Sequence, residues 1–153
     1  MDFEFIGPDD KPALLCLTSP ELIAICQGML AELGYKVHHV TNEAEFIARY
    51  PQLQYHVVII EECFCADTPE ENTTLRNIQW MPMGRRRHST FILLGANFQT
   101  LHPMQAYQQS VQAVMNVVDI ANLGQVVQKV VGESDIFYAT FRDTQARIAA
   151  GKV

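Results

Sequence analysis

The chain has 153 residues, 48% of them hydrophobic, and a formal net charge of -6 at pH 7. This length suits one domain with a core of its own. No apolar run approaches the roughly 20 residues that a membrane-spanning helix needs, and the negative charge disfavours nucleic acid and anionic lipid as partners. The start of the chain carries Asp2 and Glu4, where a secretory signal would be basic. We therefore expect a cytoplasmic protein whose partners are other proteins.

Five short runs in the chain have the length of β-strands. Four of them are almost entirely apolar, as strands buried on both faces of a sheet are. The runs cover residues 13–17, 35–40, 55–60, 91–94 and 114–118. They predict the five strands of a single sheet.

A segment with helix signals follows each run. Ser19 suits the N-cap of the first helix, with Pro20 in its first turn, and Gly34 is placed to end it. Asn42, with Glu45 three residues later, resembles a capping box. Further helices are expected to begin near residues 72, 103 and 122. Strands that alternate with helices predict an α/β fold with a doubly wound, five-stranded parallel sheet.

The predicted units divide the chain into three parts. Residues 1–12 form a leader, residues 12–131 form the α/β domain, and residues 132–153 form a C-terminal helical extension. The extension carries an apolar stripe with Ile136, Phe137, Phe141 and Ile148. This stripe could cover the sheet, form a homodimer or bind another protein, so Phe137 and Phe141 are candidate partner contacts.

The order of elements resembles a known family. Residues 12–17 read Pro-Ala-Leu-Leu-Cys-Leu and residues 56–61 read His-Val-Val-Ile-Ile-Glu, and with the lengths of the elements they resemble the CheY-like receiver domain of response regulators over roughly residues 12–131. The resemblance implies a flavodoxin-like fold. It also implies a pocket with two acids after the first strand, an aspartate that ends the third, a hydroxyl residue after the fourth and a lysine after the fifth.

This chain departs from the receiver pattern at nearly every pocket position. The residues that stand there are Thr18, Ser19, Glu61 with Glu62 beside it, Gly95 and, at or next to the lysine position, Asp119. Without the two acids the site loses most of the charge that binds magnesium. The resemblance then implies a degenerate pseudo-receiver that signals by protein contact, is no enzyme and holds no cofactor. The alternative is a phosphorylatable or anion-binding switch that uses Glu61 in place of the aspartate.

Cysteine and histidine pairs are weaker candidates for a metal site. Cys63 and Cys65 are spaced as Cys-x-Cys, with His56 nearby in sequence, but no second cysteine pair follows. His38 and His39 are neighbours on a strand, so their side chains point to opposite faces. We expect no metal site, and we expect the four cysteines to be reduced and mostly buried.

Three consecutive arginines form the densest charge in the chain. Arg85, Arg86 and Arg87 precede the fourth strand, and guanidinium groups bind carboxylates bidentately. The arginines are expected at the end of the sheet opposite to the acidic loop of residues 61–71. They are therefore candidate contacts to an acidic surface of a partner or of a second copy, or else plain solvated surface.

Overall fold

The computed structural model describes residues 6–7 and 9–151. Its centre is a five-stranded parallel sheet with strand order β2-β1-β3-β4-β5. The strands are β1 (Lys11–Cys16), β2 (Tyr35–Val40), β3 (Val57–Glu61), β4 (Thr90–Gly95) and β5 (Ala113–Asn116). The predicted doubly wound sheet is confirmed.

Helices connect every pair of consecutive strands, and the last one follows β5. They are α1 (Pro20–Glu32), α2 (Glu43–Arg49), α3 (Thr73–Gln79), α4 (Met83–Arg86), α5 (Pro103–Gln109) and α6 (Leu123–Ala149). Short 3-10 turns lie at Tyr50–Gln52, Pro69–Glu71 and Val117–Asn122. In the described part of the chain, no helix is both long enough and apolar enough to cross a membrane.

The sheet separates two hydrophobic layers. Side chains alternate between the faces of a strand, so Val57 and Ile59 of β3 pack with α1 and α6, while Val58 and Ile60 pack with α2, α3 and α5. All four of these side chains are fully buried. This explains why the central strands are apolar at all positions except their ends.

The predicted helix starts of the first half are found. The Leu22 amide donates to Ser19 Oγ at 3.5 Å, and the Glu45 amide donates to Asn42 Oδ1 at 2.9 Å. The capping box differs in one bond, because the Glu45 carboxylate accepts from the Thr41 amide at 2.8 Å and not from that of Asn42. Asn122 occupies the N-cap position of α6, but its side chain makes no capping bond.

Regular secondary structure runs across both predicted boundaries of the domain. Of the predicted leader, residues 1–5 and 8 lie outside the described residues, and Lys11 and Pro12 already belong to β1. The helical extension is continuous with α6, whose 27 residues run unbroken across the predicted boundary at residue 131. Beyond Val131 this helix is largely exposed.

Candidate functional site

The carboxyl ends of β1, β3 and β4 bring four of the predicted pocket residues together. Thr18 follows β1, Glu61 ends β3 with Glu62 next to it, and Gly95 ends β4. Open α/β sheets bind ligands at this edge. Ser19 also lies there, but its hydroxyl is used as the cap of α1.

Glu61 and Thr18 are hydrogen bonded to each other. The Thr18 amide donates to Glu61 Oε1 at 2.6 Å, and the Thr18 hydroxyl donates to the same oxygen. Thr18 therefore binds the Glu61 carboxylate through two donors. Both donors are neutral, so the contact holds the carboxylate without a metal ion or a cation.

Glu62 and Phe98 fill the space beside Gly95. The Glu62 amide donates to the Leu94 carbonyl at 2.7 Å, which fixes the backbone. A Cβ added at Gly95 would lie 2.2 Å from Glu62 Oε2 and 2.7 Å from the Phe98 ring. Burial raises the pKa of Glu62, and the nearby Glu70 raises it further. The space beside Gly95 is thus occupied by a neighbouring carboxylate and a ring.

Asn72 is a site residue that sequence reasoning assigned only to a helix start. It is completely buried, and its Nδ2 donates to the carbonyls of Glu61 at 3.1 Å and Glu62 at 2.9 Å. Its Oδ1 accepts from the Leu75 amide at 3.0 Å and caps α3. One amide group therefore ties the end of β3 to the start of α3.

The prediction for the fifth strand is wrong at its end. The strand ends at Asn116 and not at Val118, because the Asn116 side chain accepts from the Val118 amide at 3.0 Å and begins a 3-10 turn. Asn116 Nδ2 also donates to the carbonyls of Ala96 at 3.2 Å and Phe98 at 2.8 Å. The residue at the end of β5 is therefore Asn116, an uncharged amide.

Among the described residues, Asp119 makes no hydrogen bond to Thr18, Glu61, Glu62 or Gly95. It belongs to the turn after β5, where its carboxylate accepts from the Thr100 hydroxyl. Thr100 Oγ1 in turn accepts from the Asn116 amide at 3.0 Å. Asp119 thus holds the loop between β4 and α5 against the end of β5.

The cysteine prediction holds for only two of the four side chains. Cys16 and Cys26 are buried, whereas Cys63 and Cys65 are exposed around the buried Phe64. Cys65 Sγ donates to the Thr41 carbonyl at 2.8 Å. Burial raises the pKa of the Cys65 thiol, with added effects of Glu61 and Glu45, so the thiolate that binds metals is disfavoured.

The histidines do not join these cysteines. His56 precedes β3 and Cys63 follows it, so a strand length of about 17 Å separates them. His38 is buried and its Nδ1 lies 2.8 Å from the Tyr55 hydroxyl, while His39 is half-buried. Among residues 6–7 and 9–151, no group of three or more His, Cys, Asp or Glu side chains could hold a metal ion.

The three arginines at the amino end of β4 do not act as one group. Arg86 is buried with its guanidinium 5.4 Å from the centre of the Phe91 ring, so it is not a surface contact. Arg87 is half-buried and lies over the Phe141 ring at 4.2 Å. Only Arg85 is exposed. The prediction that all three arginines are candidate surface contacts is therefore wrong for Arg86.

The two candidate phenylalanines of α6 differ in their surroundings. Phe137 is 78% exposed, whereas Phe141 is 36% exposed and is partly covered by Arg87. Ile136 and Ile148 are also exposed. The extension thus presents apolar side chains to solvent beyond the sheet.

Comparison with known proteins gives structural likeness alone. No family model matches the chain. No curated protein sequence is significantly similar to it. The chemotaxis response regulator CheY4 of Vibrio cholerae is 14% identical, with a TM-score of 0.64 over 79% of this chain and 98% of that one.

Two further solved structures match to a similar extent. The receiver domain of a sensor histidine kinase from Pseudomonas aeruginosa, solved with magnesium in its active-site cleft, is 21% identical, with a TM-score of 0.62 over 80% of this chain and 98% of that one. A response regulator from Thermotoga maritima is 14% identical, with a TM-score of 0.60 and the same coverages. The described chain therefore has the fold of response-regulator receiver domains.

Proposed function

We propose that this chain is a receiver-like signalling module that acts by binding another protein and does not depend on phosphorylation. The observation that carries the proposal is the hydrogen bonding of Glu61 by Thr18, the residue that stands where receivers have a magnesium-binding acid. A neutral threonine there removes charge that magnesium needs. The role is non-enzymatic and needs no cofactor, and the location that we propose is the cytoplasm.

The charges around the pocket support the same proposal. A phosphoryl group at Glu61 would place additional negative charge beside Glu62 and near Glu70. Phosphoryl transfer depends on metal ions or cationic side chains that stabilise this charge. The residue that ends β5 is the uncharged Asn116, which cannot supply the cation that a receiver lysine would.

A phosphorylatable or anion-binding switch at Glu61 is the second candidate. One observation favours it: within the described residues only Oε1 of Glu61 has hydrogen-bond donors, which leaves Oε2 for another ligand. Glu61 is also half-buried rather than enclosed. A modest movement of the side chain could expose both oxygens.

The direct test is incubation of the chain with magnesium and acetyl phosphate, followed by intact mass spectrometry. Our proposal predicts an unchanged mass, for the chain itself and for Glu61→Gln alike. A gain in mass of one phosphoryl group that base removes, and that is absent in Glu61→Gln, would support the switch instead. The Glu61→Asp variant shows whether the shorter side chain alone restores the reaction.

A homodimer through α6 is a further proposal about partners. It is supported by the exposure of Phe137 and Ile148, which with Phe141 fall on one face of the helix. Light scattering on the full chain and on a Phe137→Ser, Ile148→Ser double variant tests it. A dimer that becomes a monomer in the variant would support the proposal, and a monomeric parent chain would refute it.

A further inference from the structure

The one tryptophan of the chain stands in solvent. Trp80 caps the carboxyl end of α3 and is 85% exposed. A tryptophan side chain has one of the largest apolar surfaces, and tryptophan is enriched among the residues that dominate binding energy at interfaces. The neighbouring Met81 is buried, so the two adjacent side chains point in opposite directions, methionine into the core and tryptophan into solvent.

A surface groove of about 420 Å³ runs beside the Trp80 ring. Arg76 lies one helical turn before Trp80 on α3, and Arg85 borders the groove from α4. Thr73, another turn back, also lines the groove. The groove therefore combines one flat aromatic surface with two guanidinium groups.

The two arginines of this groove form no hydrogen bond or ion pair within the described residues. Arg76 and Arg85 are exposed, and neither side chain forms a hydrogen bond or ion pair with another described residue. Arg86 and Arg87 differ, because each lies over a phenylalanine ring of the same chain. In a chain of net charge -6, Arg76 and Arg85 form a local basic site that favours an anionic ligand.

We propose that this groove binds an acidic peptide segment of another protein, with an apolar side chain against Trp80 and carboxylates on Arg76 and Arg85. The inference rests on the proposed function, since it names the chemistry of the partner that such a module would bind. Guanidinium groups bind carboxylates in a bidentate geometry. Aromatic and arginine side chains together are typical of the centres of interfaces.

The dimensions of the groove limit the length of the bound segment. From Thr73 to Trp80 the helix rises about 10 Å, which matches about three residues of extended peptide. This length accommodates an apolar residue with an acidic residue on either side. The partner motif is therefore short, and the affinity should depend on salt.

The structure argues against two other occupants. The acidic loop of a second copy, residues 61–71, contains Phe64 as its one aromatic residue, but Phe64 is 1% exposed and cannot reach Trp80 of a neighbour. Nucleic acid carries bases that would stack on Trp80. However, the net charge of the whole chain repels a polyanion that extends beyond the groove.

The test uses fluorescently labelled, capped peptides that each carry one leucine, phenylalanine or tryptophan between glutamates, titrated with the full chain by anisotropy. We expect saturable binding that weakens with salt and falls about tenfold or more in Trp80→Ala, Arg76→Glu and Arg85→Glu, since truncated anchor residues cost at least that much. Arg147→Glu is the matched control, because Arg147 is exposed on α6, far along the chain from the groove. This control should bind like the parent chain.

Several outcomes would overturn the inference. These are the absence of binding by every acidic peptide, equal binding of lysine-substituted peptides, an equal loss in Arg147→Glu, or tighter binding of a single-stranded oligonucleotide. Self-association that Trp80→Ala abolishes would assign the groove to a second copy. None of these results depends on the pocket at Glu61, so the acetyl phosphate experiment can fail or succeed separately.

Discussion

The two ends of the sheet use their polar side chains in opposite ways. At the carboxyl end, Thr18, Glu61 and Asn72 are bonded to one another or to nearby backbone. At the amino end, Arg76 and Trp80 stand exposed beside a groove. The polar side chains at the carboxyl end are thus bonded within the fold, apart from Glu61 Oε2, whereas Arg76 and Trp80 at the amino end are open to solvent. Substitutions should therefore affect stability at the first end and binding at the second.

The largest effect on stability is expected for Asn72→Ala. The substitution removes the cap of α3 and the Asn72 donor to the carbonyls of Glu61 and Glu62, of which the Glu61 carbonyl keeps the Phe64 amide at 3.2 Å. We expect a loss of about 2–4 kcal/mol in the free energy of unfolding. Urea denaturation measures it, with Asn77→Ala, an exposed residue of the same helix, as the control. A loss of the same size in both variants would contradict the assigned role.

A second test of the closed pocket compares two glycines. In Gly95→Ala the new methyl group meets Glu62 Oε2 and the Phe98 ring, and we expect a loss of about 1–3 kcal/mol because both side chains must move. Gly28→Ala, in α1 with no atom within 4 Å of the new Cβ, should gain about 0.5–1 kcal/mol from helix propensity. Thermal or urea unfolding of both variants shows whether each substitution lowers or raises the free energy of unfolding. A stabilised Gly95→Ala would mean that the pocket is open.

The pH dependence of stability tests the burial of Glu62. Burial raises the pKa of this carboxyl above its value in the unfolded chain. Its contribution to stability is therefore fully present below the unfolded pKa and is lost as the pH rises through the folded pKa. Relative to Glu62→Gln, the parent chain should lose unfolding free energy as the pH rises above the ordinary pKa of a glutamate. Parallel pH profiles of the two proteins would show that Glu62 is not buried as described.

The smallest effect on stability is expected for Trp80→Ala, at the amino end of the sheet. Trp80→Ala removes a side chain that is mostly in solvent, so we expect a change within about 0.5 kcal/mol. Chemical denaturation followed by circular dichroism measures this without the tryptophan signal. A loss of several kcal/mol would mean that Trp80 is part of the fold and not a binding residue.

The sequence predicts the sheet well because its strands are determined by local patterns. The apolar runs that became β1, β3 and β4 are buried on both faces, and the caps at Ser19 and Asn42 depend on residues three positions away. The end of β5 could not be predicted in this way. Val117 and Val118 continue the strand pattern, but the side chain of Asn116 turns the chain before them.

The site needed tertiary information that no local pattern contains. Nothing in the sequence around Asn72 indicates that its amide binds two carbonyls of the preceding strand end. Likewise, the burial of Arg86 depends on the Phe91 ring from the next strand. The identity of the pocket residues could be predicted by resemblance, but their bonds to one another could not.

The measurement that tests the closed pocket most directly is an NMR titration with magnesium and beryllofluoride, a mimic of a bound phosphoryl group. The backbone amides of Thr18, Glu61 and Gly95 report on the pocket, and the Pseudomonas receiver domain solved with magnesium is the positive control. We predict no saturable shift at these amides under conditions in which the control responds. Localised, magnesium-dependent shifts at all three would contradict the account and identify the chain as a phosphoryl-binding switch.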